Sequence, residues 1–142
     1  MQGTIVCGVT PAPEARAAAQ LAGALATRLG LRLLLVHVVE SQRGGSHGES
    51  SVAALAGSLA GAADLRIVHG DRLDALARVA ADEGADLIVL AARSHGPRGR
   101  QLHCSLAAQL EAAQSAPVLI APPATRARSG RRLGLAEISV ER

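Results

Sequence analysis

Apolar and polar residues are arranged along this chain in blocks. Thr4 to Val9, Leu31 to Val39, Leu65 to His69, Asp86 to Ala91 and Val118 to Ala121 are short runs that are mostly apolar. Between them lie longer stretches in which apolar residues recur every three or four positions. Continuous apolar runs are expected of strands buried on both faces, and the wider spacing is that of a helix with one buried side. The pattern therefore predicts five strands alternating with helices.

Pro13 to Leu29 reads as the first helix, with Pro13 suited to its first turn and Gly30 to its stop. Ala18, Leu21, Leu25 and Leu29 share a face at helical spacing and are expected to point inward. Ser41 to Ser50 is polar and Gly-rich and is expected to be a mobile loop. Ser51 to Ala63 is a small-residue helix weakened by Gly57 and Gly61. Asp71 caps a helix running to Glu83, with Leu73, Leu76 and Ala80 inward. Ser105 to Gln114 is the last helix. Strands that alternate with helices in this way imply a doubly wound parallel α/β domain, which binds ligands at the carboxyl ends of strands where the strand order reverses. With the first and fourth strands at that point, the loops Gly8–Pro13 and Ala92–Ser105 face one crevice.

Composition narrows the chemistry. The 142 residues include no Phe, Tyr or Trp, so the core must be built from Leu, Val, Ile and Ala, and an aromatic platform for single-stranded nucleic acid is excluded. Every basic residue is Arg. The absence of Lys fits codon bias, and it rules out Schiff-base catalysis and a phosphate-loop lysine. The net charge of +3 resides beyond residue 121, where five arginines face two glutamates, while the preceding part is balanced. The expected organisation is a domain over residues 1–122 and a basic tail over 123–142 that is dispensable for folding. A basic tail is a weak argument for nucleic-acid binding, and none is expected. Cys7 and Cys104 make no disulfide framework, no apolar run is long enough to span a bilayer, and no secretion signal is expected ahead of the first strand. A cytoplasmic setting without membrane insertion is expected.

The densest chemistry follows the fourth strand. Arg93-Ser94-His95-Gly96-Pro97-Arg98-Gly99-Arg100 leads through Gln101, Leu102, His103 and Cys104 to Ser105. A Gly- and Arg-rich loop ending at a residue that can cap a helix has the layout of an anion site. Arg93, Arg98 and Arg100 read either as a phosphate clamp or as solvated charges. His95, His103 and Cys104, with Cys7 across the crevice, match no standard zinc spacing, and no metal is expected. Cys104 reads as a reactive thiol near a helix start or as a tolerated small residue. Cys7 and His37 read as packed core residues, and His47 as solvated. No Gly-x-Ser-x-Gly elbow follows a strand, and no catalytic residue is assigned.

Several segments, in order and at matching spacing, resemble the universal stress protein family over residues 3 to about 122. They are His37-Val38-Val39, Gly70-Asp71, Gly84-Ala85-Asp86-Leu87-Ile88-Val89, Ser105-Leu106-Ala107-Ala108-Gln109-Leu110 and Ser115-Ala116-Pro117-Val118-Leu119-Ile120. The resemblance implies a Rossmann-like sheet of order 3-2-1-4-5 and a homodimer through Val118, Leu119 and Ile120. Nucleotide-binding members carry an Asp after the first strand, then Gly-x-x-Gly, nine residues, Gly and Ser or Thr after the fourth. Here Thr10 replaces the Asp, Arg93 the first Gly and Cys104 the third, and the loop is two residues shorter. Gly96 and Ser105 match.

The lost glycines hinder close backbone approach to a phosphate, and the lost Asp removes an acceptor for base or ribose. The expectation is a non-enzymatic regulatory module with a remodelled nucleotide or anion crevice and weak or lost ATP binding. Its site is expected at Gly8, Thr10, Val38, Val39, Arg93, Ser94, His95, Gly96, Arg98, Cys104 and Ser105. The ligand is ATP or another adenine nucleotide held weakly, or another small phosphate-bearing molecule, with an unidentified protein partner besides. The alternatives are an adenine-nucleotide (ATP, AMP or cyclic nucleotide) binding stress-response protein, a regulatory domain acting with a membrane transporter and, last, a small hydrolase.

Overall fold

The computed structural model describes residues 3–11, 13–40, 45–59, 63–92 and 106–122, with backbone alone at 45–51. The chain runs β1 (Thr4–Gly8), α1 (Glu14–Leu29), β2 (Arg32–Val39), α2 (Gly45–Ser58), β3 (Ala63–His69), α3 (Arg72–Glu83), β4 (Ala85–Ala91), α4 (106–113) and β5 (Val118–Ala121). All four strand pairings are parallel, in the order β3-β2-β1-β4-β5. This is the doubly wound architecture expected from the alternating pattern. The tail expected from residue 123 lies outside the described residues.

The apolar strands work because helices cover both faces of the sheet. On one face Ile5, Cys7, Leu33, Leu35 and Val89 pack under the alanines of α1 and under Val52 and Leu55 of α2. On the other, Val6, Leu34, Val36, Ile88 and Leu90 pack under Leu76 and Val79 of α3 and Leu110 of α4. Register alternates the two sets: Cys7 pairs with Leu35 and Val89, and Val6 with Leu34 and Ile88. Successive residues of a buried strand thus feed two different cores.

Local sequence explains most of the element ends. Gly30 and Gly84 close α1 and α3 in the left-handed conformation, at φ 69° and 62°. Asp71 caps α3 as expected, accepting from the Asp74 N–H at 3.1 Å. The Gln114 side chain donates to the carbonyls of Leu110 and Ala116 and accepts from the Ala116 N–H, tying the end of α4 to the turn before β5. At the start of the sheet the β1–β4 register shifts between Thr4 and Ile5, and Asp86 at that bulge accepts from the Thr4 N–H at 3.1 Å. Gly3 sits against this carboxylate, where a Cβ would collide with Asp86 Oδ2.

Three expectations are corrected. The buried face of α1 is Ala15, Ala18, Ala19, Ala22 and Ala26; Leu21 and Leu25 lie at its flanks, and Leu29 is 60% exposed. The helix lies close on the sheet, and only methyl groups fit along the line of contact. The helix expected from Ser51 begins at Gly45, inside the segment read as a loop. Val52 and Leu55 bury one turn of α2, and elongation from a buried turn outweighs the glycine cost of about 1 kcal/mol per residue. Ala63, expected in that helix, opens β3 by pairing with Leu33.

Candidate functional site

The connections place β2 and β3 on one side of β1, then cross through α3 to put β4 and β5 on the other. The strand order therefore reverses between β1 and β4, and the carboxyl ends of these strands part to open a crevice. A cleft of about 500 Å3, counted out to open solvent, occupies this place. Its floor is made by Gly8 and Val9 of β1 and its end, Val36 and Val38 of β2, and Leu90 and Ala91 of β4. Arg72 and Leu76 of α3 and Leu106 of α4 line it further, with Thr10 and Glu14 from the β1–α1 turn.

Gly8 is what leaves the floor open. A Cβ there would stand 3.0 Å from Leu90 Cδ2 and 3.6 Å from both methyls of Leu76. The turn above it is held from β2. The Val9 N–H donates to the Val36 carbonyl at 2.9 Å, and the Val9 carbonyl lies 3.2 Å from Nδ1 of the buried His37. A carbonyl only accepts, so this nitrogen carries the proton. His37 is thus a packed strand-end residue, as expected, and it anchors the β1–α1 turn.

The polar side chains of the cleft are few. Glu14 is the acidic residue in the first turn of α1, where the helix dipole favours a carboxylate. Arg72 is the first residue of α3, and its Nε lies 3.4 Å from Glu40 Oε2, just beyond β2. With Glu40 half exposed, such a pair contributes about 0–1 kcal/mol. The thiol of Cys7 lies beneath the sheet surface, fully buried, and burial pushes its pKa up to about 12. It stays protonated at neutral pH and is no nucleophile.

Of the expected site residues, Gly8, Thr10 and Val38 line the cleft, and Val39 is the next residue of β2 without lining it. Arg93, Ser94, His95, Gly96, Arg98, Cys104 and Ser105 lie outside the described residues, as do Arg100 and His103. Residues on either side of that segment are described: Ala91 before it and Leu106 after it both line the cleft. Glu14, Arg72, Leu76 and Leu90 are cleft residues that the sequence reading missed. Arg72 offered one signal, a cation at the start of a helix, where the dipole disfavours it.

The residues expected at the dimer contact form the free edge of the sheet: Val118 and Ile120 are half-buried and Leu119 is 37% exposed. Among the described residues no group of His, Cys, Asp or Glu is placed to hold a metal ion, and no helix is long and apolar enough to cross a membrane.

A family model described as the universal stress protein family matches residues 1–122. Among solved structures, a universal stress protein in complex with cAMP is similar at 23% identity and a TM-score of 0.67, covering 87% of this chain and 98% of that one. Universal stress protein UspA from Lactobacillus plantarum is similar at 18% identity and 0.65, covering 84% and 97%. The universal stress protein from Archaeoglobus fulgidus in complex with dAMP is similar at 14% identity and 0.61, again covering 84% and 97%. No curated protein sequence matches the chain.

Proposed function

The chain belongs to the universal stress protein family, and from that premise we propose that it is a non-enzymatic regulatory module whose crevice takes a nucleotide or a related phosphate-bearing molecule, with ATP held weakly. The observation that carries this reading is the cleft at the strand-order reversal, apolar in its floor and lined by Ala91 and Leu106, which flank the Gly- and Arg-rich segment 93–105 in sequence. An apolar floor suits a base or sugar, and the residue types of that segment suit a phosphate.

The family pattern is altered where ATP would be read. Thr10 stands in place of an acidic acceptor, Arg93 and Cys104 in place of glycines, and the segment is shorter by two residues. These changes act on base recognition and on close backbone approach, whereas Arg93, Arg98 and Arg100 add charge. Affinity for the anion is thereby kept better than selectivity for adenosine triphosphate. That two similar proteins are found with cAMP and dAMP supports a nucleoside monophosphate as the ligand class. We place the protein in the cytoplasm, acting through a protein partner once its ligand is bound.

Thermal melts with AMP, cAMP, ATP and inorganic phosphate test the reading, because a ligand that prefers the native state raises the midpoint. A monophosphate is expected to raise it most. Calorimetry is expected to find ATP no tighter than tens of micromolar, or about 6 kcal/mol, with affinity falling as salt rises. Submicromolar, adenine-selective ATP binding would overturn the proposal, as would no shift with any nucleotide.

A further inference from the structure

We propose that Arg72 is the stacking platform of the cleft: its guanidinium covers one face of a planar base and thereby sets the preference for a nucleotide over a bare sugar phosphate. The inference rests on the nucleotide-binding reading above and adds the group that recognises the base.

A base bound against protein is commonly covered by an aromatic ring, and there is no Phe, Tyr or Trp anywhere in this sequence. Arginine has the other side chain suited to that task, a flat, delocalised and weakly hydrated cation that stacks on π faces. Among the described residues lining the cleft, Arg72 is the one arginine. It lines the same cleft as Val36, Val38 and Leu90, all buried and all apolar, so a flat ring has an aliphatic surface to lie against.

Arg72 is also held in place before any ligand arrives. Gly70, at φ 130°, donates its N–H to the Val39 carbonyl at 3.1 Å, fixing the turn after β3 to the end of β2. Asp71 then caps the helix, and Arg72 follows as its first residue. Glu40 engages Nε at 3.4 Å. The side chain retains 27% of its exposure, so part of it remains accessible. A cation at this end of a helix opposes the dipole, and a residue that works against its local setting is explained by what it does elsewhere.

The test uses the full chain, with AMP and ribose 5-phosphate as paired probes in calorimetry. Arg72→Lys keeps the charge and the pairing with Glu40 but loses the plane. It is expected to weaken AMP by about fivefold or more while ribose 5-phosphate changes less than about twofold. A thermal midpoint equal to that of the unaltered protein shows that the fold is intact. Unchanged AMP affinity overturns the proposal. Equal losses on both probes overturn it too, because Arg72 would then be a phosphate ligand. A second measurement needs no variant: the unaltered protein is expected to bind AMP about fivefold or more tighter than ribose 5-phosphate. Equal affinity for the two overturns the platform while leaving phosphate binding intact. Failure of the unaltered protein to bind AMP overturns the nucleotide reading and this inference with it.

Discussion

Glu83 ends α3 by meeting two arginines at once: Arg66 Nη2 donates to its Oε2 at 2.6 Å and Arg32 Nη1 to its Oε1 at 2.9 Å. Arg32 also donates to Asp64 at 3.1 Å, so the cluster links α3 to β2 and β3. These hydrogen bonds, that from Arg66 foremost, hold the Glu83 carboxyl below its ordinary value. A carboxylate held low in the folded chain and ordinary in the unfolded one favours folding above the ordinary carboxylate range, and that gain is lost as the pH falls through it to the folded value. Urea unfolding from about pH 7 to about pH 3 is expected to show a stability advantage over Glu83→Gln that shrinks with acid. An advantage that persists undiminished at the acid end would mean the charge plays no part. Residue types of opposite sign are visible in the sequence, but not that these four strand and helix positions converge.

At the scale of the element, α1 shows most clearly what a pattern leaves open. Its alanines and its leucines both recur at helical spacing, and hydropathy alone favours the leucines as the inner face. Contact distance decides otherwise: Ala18, Ala19 and Ala22 are wholly buried and Leu29 stands in solvent. Two substitutions separate space from propensity. Ala22→Leu is expected to destabilise by about 1–3 kcal/mol through overpacking against the sheet. Gly23→Ala, one residue on, places its Cβ 3.8 Å from Leu33 Cδ2, an ordinary contact, and is expected to stabilise by about 0.5–1 kcal/mol. Denaturant midpoints check both, and the same sign for both would contradict this packing.

At the scale of the whole molecule, the sheet ends in two unlike edges. β3 carries Asp64 and Arg66, both engaged in ion pairs, and charged edges resist further pairing. β5 is Val-Leu-Ile-Ala, with Leu119 exposed. We propose that two copies associate through β5, the apolar edge, as an isologous contact. Light scattering at micromolar concentration is expected to give twice 14.4 kDa, and Leu119→Lys to return the protein to that monomer mass. A monomer before substitution would overturn the association, and a dimer indifferent to it would put the contact elsewhere.

Five strands, their parallel class and the capping of α3 by Asp71 followed from sequence because each depends on neighbours along the chain: hydrophobic period, a capping side chain, a glycine at a helix end. Gly8, Thr10 and Val38 were also legible, since the carboxyl ends of central strands are where such a sheet opens. Tertiary structure alone decided that the inner face of α1 is alanine, that α2 reaches back to Gly45, and that Arg72 joins Gly8 and Leu90 in one cleft. Those outcomes turn on distances between segments far apart in sequence: how closely a helix can lie on a sheet, which turn is buried first, and where a crossover brings the start of α3 over the end of β1.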